Sequence, residues 1–196
     1  MIAEQRFVEG LEFLDETKLI MSSGSYGNSH LDILDLETNP VKTIKTTSID
    51  AQYFGEGITY LADRNEIIMM TYKKHKAFRF SSTDLKIVEE LTIPATVVEG
   101  WGMTHIEDTL LVSDGTNRIH LVNPDNFEVK SSFKVNENGR DINNINELEY
   151  VDGKIYANIF MSNDVIVFDI NGQVEKRFDL TQLLKIEEQY LQEHGI

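Results

Sequence analysis

The chain has 196 residues, of which 41% are hydrophobic, so we expect one domain with a well-formed core and no long disordered segment. It has no cysteine, which excludes disulfides and thiolate metal sites. With 33 acidic and 18 basic residues its net charge is -15, and such a surface repels phosphate groups, so nucleic acid and anionic membranes are poor partners.

The first ten residues, MIAEQRFVEG, lack the apolar region of a signal peptide, and no later apolar run is long enough to cross a bilayer. We therefore expect no membrane association. The compartment stays open, because the protein is cytoplasmic as written but exported if a leader has been removed.

Taken in chain order, four similar apolar segments recur along the sequence. They are EGLEF from Glu9, EGITY from Glu56, EGWGM from Glu99 and NELEY from Asn146, spaced 47, 43 and 47 residues apart. About ten residues after each comes a second strand pattern, in LIMSS, IIMMT, LLVSD and IYANI, and two further strand patterns follow. Turn residues such as Asn171 and Gly172 separate the third and fourth strands, as in β-hairpins.

A unit of four antiparallel strands that repeats about every 45 residues is typical of a β-propeller blade. The sequence therefore predicts an all-β propeller in a single domain over 1–196, with repeats at about 7–46, 54–93, 97–135 and 144–180. The closing segment, DLTQLLKIEEQYLQEHGI, has apolar residues close to helical spacing. It predicts a short amphipathic helix over about 181–194 that lies against one face of the protein.

The first strand of each propeller blade lines the central axis, so equivalent positions in the repeats form a ring around one mouth of the channel. That position is held by Glu9, Glu56, Glu99 and Asn146. Three carboxylates in one space repel one another, and the repulsion must be relieved by protonation, by a cation or by a positively charged ligand. The simpler interpretation is that each is a solvated turn residue at the start of a strand.

Several segments together resemble a known family. FVEGLEF, SGSYGNS, YFGEGIT, EGWGMT, SDGT, NGRDINNINELEY and KIYANIF are similar, in this order, to the plant and bacterial type of glutaminyl-peptide cyclotransferase. The similarity runs from about Phe7 to Leu184. It implies a five-bladed propeller, of which four repeats are visible here, and an enzyme that converts the N-terminal glutamine of a peptide into pyroglutamate and releases ammonia.

The resemblance also implies roles for individual residues. Glu56 matches the catalytic glutamate, which would move a proton from the attacking α-amine to the leaving amide nitrogen, and Asn146 matches the asparagine that would orient the substrate. The substrate-binding residues that we predict are Phe7, Glu9, Tyr72, Glu99, Trp101 and Phe160. Of these, Glu9 replaces the family's glutamine and Tyr72 and Phe160 replace tryptophans, while the lysine of the fifth blade has no counterpart in this sequence.

Two other interpretations stay open. The missing lysine and tryptophans suit a non-catalytic propeller that binds a peptide or an amine ligand at the same mouth. The ring oxygens suit a calcium-like ion, although the enzyme interpretation requires no cofactor and assigns no metal ligand.

The expected partner is a peptide with N-terminal glutamine. A homo-oligomer is expected if four blades leave the propeller open, because exposed strand edges associate. The basic run KKHK, Lys73–Lys76, follows Tyr72 and is either a solvated loop or a border of the pocket.

Overall fold

The computed structural model describes residues 7–194, and this part of the chain forms four four-stranded antiparallel sheets and one α-helix. In each sheet the strands pair in the order in which they occur along the chain. Each sheet is therefore a meander that corresponds to one sequence repeat, and the predicted all-β propeller with four-stranded blades is confirmed.

The first two blades hold eight strands. Blade 1 comprises β1 (Val8–Asp15), β2 (Lys18–Ser23), β3 (His30–Asp35) and β4 (Lys42–Ser48). Blade 2 comprises β5 (Gly55–Leu61), β6 (Glu66–Thr71), β7 (Lys76–Ser81) and β8 (Ile87–Thr92).

The second half of the chain follows the same plan. Blade 3 comprises β9 (Met103–Ile106), β10 (Thr109–Ser113), β11 (Arg118–Val122) and β12 (Val129–Lys134). A two-stranded hairpin follows, formed by β13 (Asn136–Glu137) and β14 (Arg140–Asp141). Blade 4 comprises β15 (Ile145–Val151), β16 (Lys154–Ile159), β17 (Asp164–Phe168) and β18 (Val174–Asp179), and α1 (Thr181–His194) comes last.

The core consists of apolar layers between neighbouring blades. The four consecutive apolar residues of β6, IIMM, are buried on both faces of the strand. Ile67 and Met69 pack towards blade 1, whereas Ile68 and Met70 pack towards blade 3. Successive side chains of a strand point to opposite faces, so a strand in an inner blade buries both. Each fully buried aliphatic side chain of this kind stabilises the fold by roughly 1.5–3 kcal/mol.

The first strands of the blades lie side by side around the axis. Strand β1 packs against β5, β5 against β9, and β9 against β15. Within residues 7–194, β15 and β1 have no comparable packing. The ring that residues 7–194 form is therefore open between blade 4 and blade 1.

The C-terminal helix occurs where the sequence predicts it, but its expected packing is wrong. Leu183 and Ile186 are 61% and 65% exposed, so these apolar residues of α1 do not lie against the propeller. The Asp179 carboxylate accepts the backbone N–H of Thr181 at 2.8 Å and so caps the first turn. No helix in the described part of the chain is both long and apolar enough to cross a membrane.

Candidate active site

Strand pairing shows which residues of the four blades are equivalent. The first strand of each blade pairs with the second through Leu11 and Met21, Ile58 and Met69, Met103 and Val112, and Leu148 and Ala157. Two residues before the first member of each pair stand Glu9, Glu56, Trp101 and Asn146. These four residues form the ring at the axis, and all of them line one cavity of about 390 Å³.

The third member of the ring is thus Trp101 and not Glu99, which corrects the register read from the sequence. The Glu-Gly pair of EGWGM matches EGLEF and EGITY letter by letter, but β9 begins only at Met103. With Trp101 in the ring the spacings become 47, 45 and 45 residues. Glu99 stands outside the cavity lining, whereas the other seven predicted site residues, Phe7, Glu9, Glu56, Tyr72, Trp101, Asn146 and Phe160, all line it.

Hydrogen bonds from the neighbouring blade hold the backbone of the ring. The Ser22 hydroxyl donates to the carbonyl of Glu56 at 2.8 Å, and the Ser113 hydroxyl donates to the carbonyl of Asn146 at 2.7 Å. The N–H of Gly57 donates to the carbonyl of Trp101 at 2.8 Å. Each ring residue that these bonds reach therefore has its main chain fixed by a strand of another blade.

The wall of the cavity is largely aromatic. Tyr72 lies 6.0 Å from Phe54, and Phe160 meets Trp101 edge to face at 5.4 Å between ring centroids. Phe7 closes one side and is 64% exposed. Sequence reasoning did not single out Phe54, although its place in YFGEGIT, two residues before Glu56, was a signal.

Two carboxyl groups face each other inside this wall. Glu56 is only 7% exposed, and burial raises its pKa well above the usual range, with further increases from the negative charges of Glu9 and Glu99. Burial also raises the pKa of Glu9, though less, because Glu9 hydrogen-bonds Glu56. Burial thus favours the protonated form of Glu56 more strongly than that of Glu9, and a protonated Glu56 can act as an acid.

A second acidic layer lies below the ring and was not predicted. Its central member is Glu147, whose two carboxyl oxygens are buried and have no hydrogen-bond partner within residues 7–194. Burial raises its pKa well above the usual range, and the charges of Glu149, Glu56, Glu12 and Glu9 add to the effect. Burial likewise raises the pKa of Glu12 and of Glu149 to about 7.

The signal for Glu147 was present in the repeat itself. It occupies the position that Gly10, Gly57 and Gly102 hold in the other blades. A Cβ atom on Gly57 would lie 2.8 Å from Glu147 Oε2. Gly57 thus leaves space for the side chain of Glu147.

Among the described residues, no group of three or more histidine, aspartate or glutamate side chains is arranged to hold a metal ion. Glu99, which the sequence placed among the ring oxygens, instead accepts a hydrogen bond from the indole of Trp101. The site offers a buried acid, a neighbouring carboxylate, an amide and aromatic walls.

Comparisons with known proteins agree on one family. The family model described as glutamine cyclotransferase matches residues 2–194. A glutaminyl-peptide cyclotransferase of Arabidopsis thaliana is 30% identical over 157 residues, which cover 80% of this chain and 47% of that protein, so the chain spans about half the length of this curated relative. The crystal structure of a glutaminyl cyclase of Myxococcus xanthus matches with a TM-score of 0.81 and 26% identity over 92% of this chain and 74% of that one.

Proposed function

Because this chain belongs to the glutamine cyclotransferase family, we propose that it converts the N-terminal glutamine of peptides into pyroglutamate and releases ammonia. The observation that carries the proposal is the position of Glu56, which is buried at an aromatic-walled cavity that also presents Glu9 and Asn146, and burial raises its pKa. A carboxylic acid in this state can exchange a proton with a substrate at neutral pH.

The reaction is an internal acyl transfer. The neutral α-amine attacks the γ-carbonyl carbon of the same glutamine residue, and a C–N bond forms that closes a five-membered ring. The bond from this carbon to the amide nitrogen then breaks. The attacking nitrogen loses one proton and the leaving nitrogen gains one, so the products are a pyroglutamyl peptide and ammonia, and no oxidant or cofactor is consumed.

Glu56 is suited to carry out the proton transfers of this reaction. It gives its proton to the leaving amide nitrogen, and the resulting carboxylate takes the proton of the attacking amine, so the acid is regenerated. The carboxylate of Glu9, which hydrogen-bonds Glu56, stabilises the protonated form of Glu56 before the reaction. Glu56 therefore keeps its proton in the absence of substrate.

The other cavity residues contribute by positioning. Asn146 offers both an amide donor and an acceptor to the substrate from a main chain that Ser113 holds in place. Tyr72, Trp101 and Phe160 confine the glutamine side chain, and much of the rate gain in an internal reaction comes from holding the amine against the carbonyl carbon.

The test is ammonia release from a short peptide with N-terminal glutamine, together with mass spectrometry for the loss of ammonia from the peptide. We expect Glu56→Gln to lower turnover at least about a hundredfold, because it removes the acid but keeps the shape. The matched control is Glu128→Gln, an exposed glutamate in a turn of blade 3, which should keep wild-type activity.

The assay is repeated with a chelator, since an ion-dependent site would lose activity or thermal stability and a metal-free site would not. Turnover by a folded wild type that Glu56→Gln leaves unchanged would refute the role of Glu56. A folded wild type with no turnover on any such peptide would refute the enzyme proposal and favour a propeller that only binds its ligand.

A further inference from the structure

Glu99 and Lys73 form a bridge on the outside of the aromatic wall. One carboxylate oxygen of Glu99, Oε2, accepts a hydrogen bond from Trp101 Nε1 at 3.0 Å. The other, Oε1, lies 3.4 Å from Lys73 Nζ, and the same ammonium sits 4.5 Å above the ring of Tyr72. One carboxylate thus ties the indole of Trp101, from the third blade's ring position, to the loop that follows β6 in blade 2.

The backbone beneath this bridge is already fixed. The N–H of Gly100 donates to the carbonyl of Tyr72 at 2.9 Å, and the N–H of Tyr72 donates to the carbonyl of Phe54 at 3.1 Å. These bonds fix where the residues stand but leave the two χ angles of the Trp101 side chain free. The hydrogen bond to Glu99 constrains the indole in addition to its edge-to-face contact with Phe160.

We propose that Glu99 is a positioning residue that holds the Trp101 indole as one wall of the glutamine pocket, and that Lys73 keeps the Glu99 carboxylate in place. The inference rests on the proposed function for its link to turnover. It assigns a role to Lys73, which follows the cavity residue Tyr72 in the chain, and to the one predicted site residue that the cavity lining leaves out.

The bridge also places a charge near the buried acid. The titratable groups that act on Glu56 are Glu9 from β1 and Glu99 from the segment before β9, and the carboxyl group of Glu147 from β15 also lies near it. Counting only cations in residues 7–194, Glu99 is the one of these three with a partner at ion-pair distance, Lys73. Removing the charge of Glu99 should lower the pKa of Glu56, whereas removing Lys73 leaves Glu99 unscreened and should raise it.

The sequence provides a direct readout, because Trp101 is the only tryptophan in the chain. Intrinsic fluorescence and its quenching by acrylamide therefore report on this one indole. We expect Glu99→Leu to increase acrylamide quenching of Trp101 and to raise KM on the order of tenfold, with a smaller change in kcat, since a charge-assisted hydrogen bond to a pocket wall is lost.

Three further variants separate geometry from charge. Glu99→Gln keeps an acceptor oxygen, so its quenching should stay close to that of the wild type while its pH–rate profile moves to lower pH. Lys73→Met should move the profile to higher pH. Lys74→Met, at the exposed neighbouring lysine, should change neither the fluorescence nor the profile.

The inference is overturned if Glu99→Leu leaves both the quenching of Trp101 and KM at wild-type values, or if Glu99→Gln and Lys73→Met shift the profile in the same direction. The fluorescence does not depend on turnover. A wild type without activity whose Trp101 quenching still rises in Glu99→Leu would therefore defeat the proposed enzyme but keep the positioning role.

Discussion

Among single residues, Glu147 has the least expected environment. Three blades have glycine at its position, and the fourth places a carboxyl group at the axis with no hydrogen-bond partner in the described residues. An ionised carboxylate in such a place is strongly disfavoured, so Glu147 folds into the protein as the neutral acid. Its carboxyl group lies beside Gly57, close enough to Glu56 and Glu9 for their charges to raise its pKa further.

This burial has a consequence for stability. The pKa of Glu147 is raised in the folded state, so its contribution is fully present below the unfolded pKa, near 4.5, and is lost as pH rises towards the folded pKa. Glu12 and Glu149 act with the same sign, because burial raises the pKa of each to about 7. We therefore expect the wild type to lose stability as the pH rises from about 5 to 8.

The variant Glu147→Gln isolates one part of that loss. Its free energy of unfolding should fall less steeply with pH than that of the wild type. The difference between the two slopes should be about 1.4 kcal/mol per pH unit, because the variant releases one proton fewer on unfolding. Urea unfolding at several pH values measures the slope, and Glu187→Gln on the exposed helix should reproduce the wild-type slope. A Glu147→Gln slope equal to that of the wild type would show that Glu147 is ionised in the folded protein.

At the level of the elements, the repeat in the sequence was enough to predict the blades, because hairpin turns and apolar strands recur with a period set by the four-stranded unit. The position of the side chains at the axis was harder to predict. The Glu-Gly dipeptide that Glu99 shares with Glu56 predicts that Glu99 occupies the ring position of blade 3. The pairing of Met103 with Val112 instead gives that position to Trp101. Similarly, apolar spacing predicted α1, but only the surrounding surface decides whether such a helix is buried.

The inner strands of blades 3 and 4 approach each other closely at Gly102. A Cβ atom on Gly102 would overlap the carbonyl oxygen of Asn146 and lie 2.5 Å from Cα of Glu147. Gly102→Ala must push β15 away from β9, and we expect it to cost about 2–3 kcal/mol of unfolding free energy. Because Asn146 moves with the strand, turnover should fall as well.

Gly139→Ala provides the comparison for this effect. Its Cβ atom would meet nothing within 4 Å, but the φ of 78° at Gly139 strains any side chain, which costs about 1 kcal/mol. Urea unfolding of both variants measures the difference. If Gly102→Ala costs no more than Gly139→Ala, the two inner strands can separate freely and the argument from close packing fails.

For the molecule as a whole, the opening between blade 4 and blade 1 lies beside the pocket. Phe7 and Phe160, which come from the two sides of this opening, are 64% and 45% exposed, whereas Trp101 on the closed side is partly buried. Blade 1 also turns Leu11 and Phe13 away from blade 2, and these are 41% and 61% exposed. The four repeats were readable in the sequence, but this exposed face became visible only once the blades were arranged around the axis.

An apolar sheet face of this kind favours association. We expect the protein to self-associate through it, so that the mass measured by sedimentation rises with protein concentration. Phe13→Lys places a charge on the face and should shift the protein towards the monomer, whereas Val88→Lys, at a 57% exposed position on the outer strand of blade 2, should not. A monomeric mass for the wild type at every concentration, or equal effects of the two lysines, would show that the open face does not mediate contacts between copies of the chain.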